Sequence, residues 1–225
     1  MPAAGFRVEQ FAVWRASAEA PRPDVSFVPP LERRRLTGVE RAALSVAWRV
    51  KAETEVPVVF ASRWGEIGVT AKLMRQFHED REMSPAGFSA SVHNAAPGAF
   101  SLLTRNHAPY TAVAARDRSL ESGLLEALAL RREVVFVYAE EATPELYAPT
   151  FDDLQAGCAV AVRLAPGDEG SASRTGDRCA SGTGGPVRAV FRHADLPPAS
   201  FESFAGFLEG RVPAFAASCF ELTRV

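Results

Sequence analysis

Residues 110–139 read YTAVAARDRSLESGLLEALALRREVVFVYA. Tyr110 to Ala115 is a short run of aromatic, β-branched and small residues, which predicts a strand. Ser119 then caps an amphipathic helix carrying Leu120, Leu124, Leu125 and Leu128. That helix closes on Arg131-Arg132, where cations suit the carbonyl end. Val134 to Ala139 is a continuous apolar run, so a second, buried strand follows.

The alternation continues in both directions. Phe6 to Trp14 predicts a first strand, Val56 to Ser62 another, and Cys158 to Leu164 a fifth. Thr37 followed by Glu40 is a capping box, and Val39, Ala43, Val46, Ala47 and Val50 repeat at helical spacing up to about Lys51. Ile67, Ala71, Met74 and Phe77 give a second amphipathic helix, and Ser84-Pro85 opens a short third one. Strands separated by helices imply a layered α/β fold with a mostly parallel sheet. Gly167 to Gly185 breaks the pattern, with six glycines and three serines among charges, and reads as a flexible loop over 166–186. Val187 to Phe191, a Phe201/Phe204/Phe207 helix and a run from Ala214 to Leu222 form a C-terminal extension, 187–225, expected to pack on the domain formed by 1–165.

Composition sets the outer limits. The chain has 225 residues, a formal net charge of -2, 47% hydrophobic and 23% charged residues, which describes a globular protein of one large domain or one domain with an appendage. The near-neutral balance argues against nucleic acid as partner. Arg33-Arg34-Arg35 is too short to change that and reads as a solvated face ahead of a helix. The chain opens without an apolar leader, and no apolar run approaches a membrane span, so a cytoplasmic protein without membrane insertion is expected. Cys158, Cys179 and Cys219 are widely spaced with no CxxC pair, which gives neither a zinc site nor a disulfide framework.

Isolated candidates for chemistry have simpler readings. His78 sits in a charge-rich helix end with no second histidine four residues on, so no metal site is expected. His193-Ala194-Asp195 fits a strand-end turn better than a general base. No Gly-x-Ser-x-Gly elbow is present. Cys158 lies inside an apolar strand as an inert thiol, and Cys179 lies in the flexible loop.

One constellation remains: Ser91-Val92-His93-Asn94-Ala95-Ala96-Pro97-Gly98-Ala99-Phe100, then Ala108-Pro109-Tyr110-Thr111-Ala112-Val113-Ala114-Ala115. It resembles the N-terminal half of β-ketoacyl synthases, members of the thiolase-like superfamily. There an Asn-Ala-x-x-Gly helix precedes a Gly-Pro turn and a strand leading to the catalytic cysteine. The stretch Gly157-Cys158-Ala159-Val160-Ala161-Val162 is similar to the fifth strand of that half. More narrowly, SVHNAAPGAFS looks like a half-length, chain-length-factor-like branch found in bacterial clusters for aryl polyenes and related fatty-acid-like products. The resemblance implies a thiolase-like half: a layered, five-stranded mixed sheet, a buried central helix at about 119–131, and helices on both faces.

The departures decide the implied function. Counting without gaps from Asn94 and Pro109, the family's cysteine falls at Asp117; counting back from the Val134 strand with one deletion, it falls near Ala114. The replaced elbow therefore comprises Ala114, Ala115, Arg116 and Asp117, and residues 110–125 hold no cysteine, with Ser119 and Ser122 as the only hydroxyl substitutes apart from Tyr110 and Thr111. Condensation needs a thiolate to take the acyl chain. It also needs the two histidines of the family's second half for the enolate, and this chain stops at Val225. No catalytic residue, cofactor or metal is assigned, and independent condensation is not expected. The implied role is a non-catalytic subunit pairing with a full-length ketosynthase as a heterodimer, meeting acyl carrier protein through that complex. His93, Asn94, Phe100, Pro109 and Tyr110 are the expected dimer-interface and acyl-tunnel positions, with Phe100 and Tyr110 gating product length. Two alternatives stay open: an acyltransferase or thioesterase acting on carrier-bound chains, and a self-dimerising acyl-binding protein.

Overall fold

The structure, a computed structural model, describes residues 3–147, 156–167, 181–182, 186–191 and 196–225. In chain order the elements are β1 (Ala3–Arg15), α1 (Pro30–Arg33), α2 (Gly38–Val50), β2 (Val58–Ala61), α3 (Ile67–Asp80), α4 (Pro85–Ser89), α5 (Ala95–Thr104) and β3 (Tyr110–Val113). A 3-10 turn at Arg116–Arg118 leads into α6 (Ser119–Ala129) and β4 (Val134–Glu140). Then come β5 (Cys158–Pro166), β6 (Ser181–Gly182), β7 (Pro186–Phe191), α7 (Phe201–Leu208), β8 (Ala214–Ala216) and β9 (Phe220–Arg224).

The nine strands among the described residues form one sheet in the order β3-β2-β4-β5-β1-β7-β9-β8, with β6 pairing to β1. The five strands expected from the sequence occupy one end of it. Strands β7, β9 and β8 extend it beyond β1, because the C-terminal extension adds strands to the same sheet, and β6, within the stretch expected as a loop, also pairs with β1. The run from Ala214 to Leu222 is a hairpin, not one strand: Ala217 N–H donates to the Phe220 carbonyl at 2.8 Å and turns the chain. The expectation of a mostly parallel sheet is also corrected. Only β2–β3 and β2–β4 are parallel, while β4–β5, β1–β5, β1–β7, β7–β9 and β8–β9 are antiparallel. Parallel neighbours need a crossover that returns the chain to the same end. Helices α3–α5 supply it between β2 and β3, and α6 between β3 and β4.

The strand interiors are buried on both faces, as a sheet covered by helix layers requires. In β4, Val134, Phe136 and Tyr138 face the core formed with α6 and α7, while Val135, Val137 and Ala139 face the core formed with α2 and α5. A register shift between Val8 and Gln10 changes the parity of β1. Phe6, Val8 and Phe11 consequently share one face despite their odd spacing. Gly123 lets α6 lie close to the sheet: a Cβ there would stand 2.5 Å from the Ala61 Cβ and 2.9 Å from the Phe136 ring.

Helix starts follow the sequence. Glu40 N–H donates to Thr37 Oγ1 at 3.1 Å, and Thr37 N–H donates to the Glu40 carboxylate at 2.8 Å, completing the capping box of α2. Ser84 receives Gly87 N–H at the start of α4. Ser119 differs from the expected cap, since it is the first residue inside α6 and its hydroxyl is used on the preceding turn. The run Arg33-Arg34-Arg35 closes α1 and enters the connection to α2, with Arg34 and Arg35 exposed.

Candidate functional site

Strand β3 forms the outer edge of the sheet and, among the described residues, is hydrogen-bonded to β2 on one side only. Pro109 and Val113 aim their carbonyls at β2, accepting from Val58 N–H at 3.1 Å and Ser62 N–H at 3.3 Å. By the two-residue alternation of a strand, Tyr110 and Ala112 turn their backbone groups to the open edge.

The chain leaves β3 through Ala114 and Ala115 and turns sharply at Arg116, whose φ is 51°. A non-glycine residue costs about 1 kcal/mol in that left-handed region, so the surroundings must hold it there. Ser119 does so, accepting Ala115 N–H at 2.8 Å and donating its hydroxyl to the Arg116 carbonyl at 2.7 Å. The residue is fully buried. The hydroxyl is thereby committed to the turn.

Asp117 points outward, and its carboxylate pairs with Arg63 Nη2 at 2.8 Å. The Arg63 and Arg116 guanidinium carbons lie 5.6 and 6.0 Å from the Trp64 ring centroid, so both cations pack on one indole. Arg118 continues the turn by pairing with Glu121 at 2.6 Å and donating to the Leu196 carbonyl at 3.1 Å. Glu121 is 2% exposed and also accepts the Ser218 hydroxyl at 3.0 Å. The C-terminal hairpin is thus fastened to the helix that follows the elbow.

A cleft of about 770 Å³ opens beside this turn, bounded by Arg63, Trp64, Arg116 and Asp117, with Tyr138 and Cys158 deeper in. Burial pushes the Cys158 thiol up to about 12, with Glu140 adding to it, so the sulfur stays protonated and unreactive at neutral pH. Burial also raises the Tyr138 hydroxyl. The Glu140 carboxyl is pushed up to about 7 by burial, against the pull of the Arg63 backbone N–H that it accepts. Arg15, on the opposite wall, is held charged by Glu202 at 2.9 Å and Glu209 at 2.8 Å. Cys219 is half-buried, with its thiol raised by burial as well.

The five interface positions divide into two groups. Asn94, Pro109 and Tyr110 are exposed, and the Tyr110 hydroxyl lies against α5 at Gly98, where a Cβ would stand 3.5 Å away. His93 is half-buried, its Nε2 3.1 Å from the Ser62 carbonyl and its ring 5.6 Å from the Phe60 ring. Phe100 is 4% exposed, inside the core between α2, α5 and the sheet. That core lies on the face opposite the elbow cleft, so the fold does not bring Phe100 to the elbow.

His78 is exposed in the last turn of α3, and among the described residues no group of three or more His, Cys, Asp or Glu side chains could hold a metal. His193, Asp195 and Cys179 lie outside the described residues. Among the described residues, no helix is long and apolar enough to cross a membrane. The sequence reading passed over Arg63 and Trp64, which the structure places against the elbow. The available signal was their position directly after the β2 run, at the carboxyl end of a strand where α/β sheets place their sites.

Comparison with known proteins bears on this architecture. The family described as Beta-ketoacyl synthase, N-terminal domain, matches residues 8–189. A solved complex of a ketosynthase (ApeO) with its chain length factor (ApeC) from Xenorhabdus doucetiae contains a chain of similar fold. The two superpose with a TM-score of 0.69 at 21% identity, over 100% of this chain and 98% of that one. A second similar structure is of a type II PKS acyl-carrier protein in complex with its ketosynthase bound to the hexaketide, with a TM-score of 0.59 at 11% identity. It covers 72% of this chain and 62% of that one. No curated protein matches the sequence.

Proposed function

Because the chain belongs to the family of β-ketoacyl synthase N-terminal domains, we propose that it is a ketosynthase-like subunit without condensing activity of its own. It would act as a chain-length-factor-like partner of an active β-ketoacyl carrier-protein synthase in aryl polyene or related fatty-acid-like biosynthesis. The observation that carries this reading is the elbow. Its residues are Ala114, Ala115, Arg116 and Asp117, its carboxylate is bound to Arg63, and its buried hydroxyl at Ser119 is committed to the turn. The elbow thus presents no activated nucleophile, and the nearby Cys158 thiol is held protonated.

The open edge of β3 supports a pairing role. Tyr110, Leu102 and Val92 stand exposed on β3, α5 and the segment before it, at 40%, 82% and 42%. An exposed strand edge beside apolar side chains suits strand addition by another subunit. Carrier protein would meet the chain through that complex.

The test is co-expression with a full-length ketosynthase of the same organism, with a tag on one chain only. A stoichiometric heterodimer is expected. A clean monomer or homodimer would refute the reading and direct attention to acylation of this chain itself.

A further inference from the structure

Glu66 lies in the turn ahead of α3, 2% exposed, and neither of its carboxyl oxygens has a hydrogen-bond partner. Two more carboxyl groups face it: Glu40 in α2 and Glu141 just after β4. Their environments differ from its own. Glu40 is bonded within the capping box of α2. Glu141 is wedged between the starts of α2 and α3, where it accepts Gly68 N–H at 2.7 Å and a Cβ on Gly38 would come within 2.5 Å of its Oε2. Burial raises both carboxyls as well, but backbone donors at the helix starts pull Glu40 and Glu141 back toward the ionised form. Glu66 has no such donor.

The other charged groups near this corner are engaged elsewhere. Arg41 of α2 acts on Glu40 and donates to the Leu36 carbonyl. Arg63 pairs with Asp117. His93 presses on Gly65, where a Cβ would stand 2.9 Å from its ring, while its Nε2 faces the Ser62 carbonyl. Of the neutral polar neighbours, the Thr70 hydroxyl is spent on the Glu66 carbonyl, and the Thr37 hydroxyl draws the Glu66 carboxyl downward, more than either like charge pushes it up but less than burial does. An unpartnered carboxylate in such a place would carry a desolvation cost of several kcal/mol, so the proton stays on Glu66 while α3 is seated.

We propose that the Glu40, Glu66 and Glu141 cluster is a proton-operated latch, which seats the start of α3 on α2 and β4 while Glu66 is neutral and releases it when Glu66 ionises. Burial, with repulsion from Glu40 and Glu141, raises the Glu66 carboxyl to about 8. For an acid raised on folding, seating is fullest at low pH and weakens as pH rises from the ordinary carboxylate range toward about 8. Past Gly65 and His93 the latch adjoins the segment leading to α5, and α3 and α4 carry exposed Met74, Phe77 and Phe88. A consequence for partner binding rests on the heterodimer reading above, whereas the latch itself concerns this chain alone.

Hydrogen exchange on the isolated full chain in steps from pH 6.5 to pH 9, corrected for intrinsic rates, tests it. Amides of residues 66–80 should open at least about tenfold more often at pH 9, through openings that leave β4 amides protected. Glu66→Gln should abolish the difference. Glu141→Gln, which keeps an acceptor for Gly68 but removes a like charge, should move the midpoint to lower pH. A wild-type ratio near one, a pH dependence retained in Glu66→Gln, or an unmoved midpoint in Glu141→Gln would overturn the latch. Since the readout needs no partner, its failure is distinct from failure to capture a ketosynthase.

Discussion

Asp117 stands 2.8 Å from the Arg63 guanidinium, joining the elbow after β3 to the segment after β2. The pair is exposed on the aspartate side, where 58% of the side chain is accessible. Such pairs contribute about 0–1 kcal/mol. Asp117→Asn should therefore shift the urea midpoint only slightly. It should also leave the products of a reconstituted complex unchanged, because the carboxylate is a structural tie. A large loss of product formation with unchanged stability would give Asp117 a chemical role instead.

Ser119 makes a stronger claim. Its hydroxyl satisfies a donor at Ala115 and an acceptor at Arg116, and the residue is fully buried. Ser119→Ala leaves the Ala115 N–H unmet, while the Arg116 carbonyl keeps the backbone N–H of residue 119, and should cost roughly 1–3 kcal/mol in equilibrium unfolding. A change under about 0.5 kcal/mol would mean that water replaces the hydroxyl.

Ala112 offers a direct probe of the open strand edge. Its backbone groups face away from β2, so Ala112→Pro removes an outward donor without breaking the pairing to β2. Capture of a ketosynthase should fail in this variant while its thermal melt stays within a few degrees of wild type. Retained capture would move the interface away from β3.

Product length separates Tyr110 from Phe100. Tyr110 is 40% exposed at the edge, so Tyr110→Ala should lengthen or blur the product distribution with little loss of stability. Phe100 is a core residue, and Phe100→Ala should cost about 3–5 kcal/mol. Product profiles from the Phe100 variant thus need a stability control measured alongside. Unchanged products from both variants would remove these residues from any gating role.

Glu140 sets part of the pH dependence of stability. Burial raises its carboxyl from the usual range to about 7, so the folded chain holds a proton that the unfolded chain releases. Glu140 should contribute a decline as pH rises from about 4.5 to about 7, of roughly 3 kcal/mol at most, with Glu66 carrying the decline on toward about 8. Urea unfolding of wild type and Glu140→Gln across that window checks the sign. The decline should flatten in the variant, and a wild-type curve rising through the same window would contradict it.

How far the sequence could be read depended on the range of the interaction concerned. Strands β2, β4 and β5 were legible because a run buried on both faces is apolar without interruption. The capping box at Thr37 and Glu40 was legible because both of its bonds are local. Strand order was not, since it depends on which edges meet. The extension beyond β1 arises from pairing between residues about 180 apart, such as Ala4 with Ala189.

The elbow shows the same boundary at atomic scale. The order of residues alone established that the strand at Tyr110–Val113 runs into a helix through Arg116 and Asp117 with no cysteine. Only the folded chain assigned Arg116 the left-handed turn, gave Asp117 its partner Arg63, and committed the Ser119 hydroxyl to the backbone. It also gathered Glu40, Glu66 and Glu141 from three distant segments of the chain. Periodicity and capping are written within a few residues of chain. Ion pairing and desolvation depend on distance in space, and the tertiary structure alone fixes those distances.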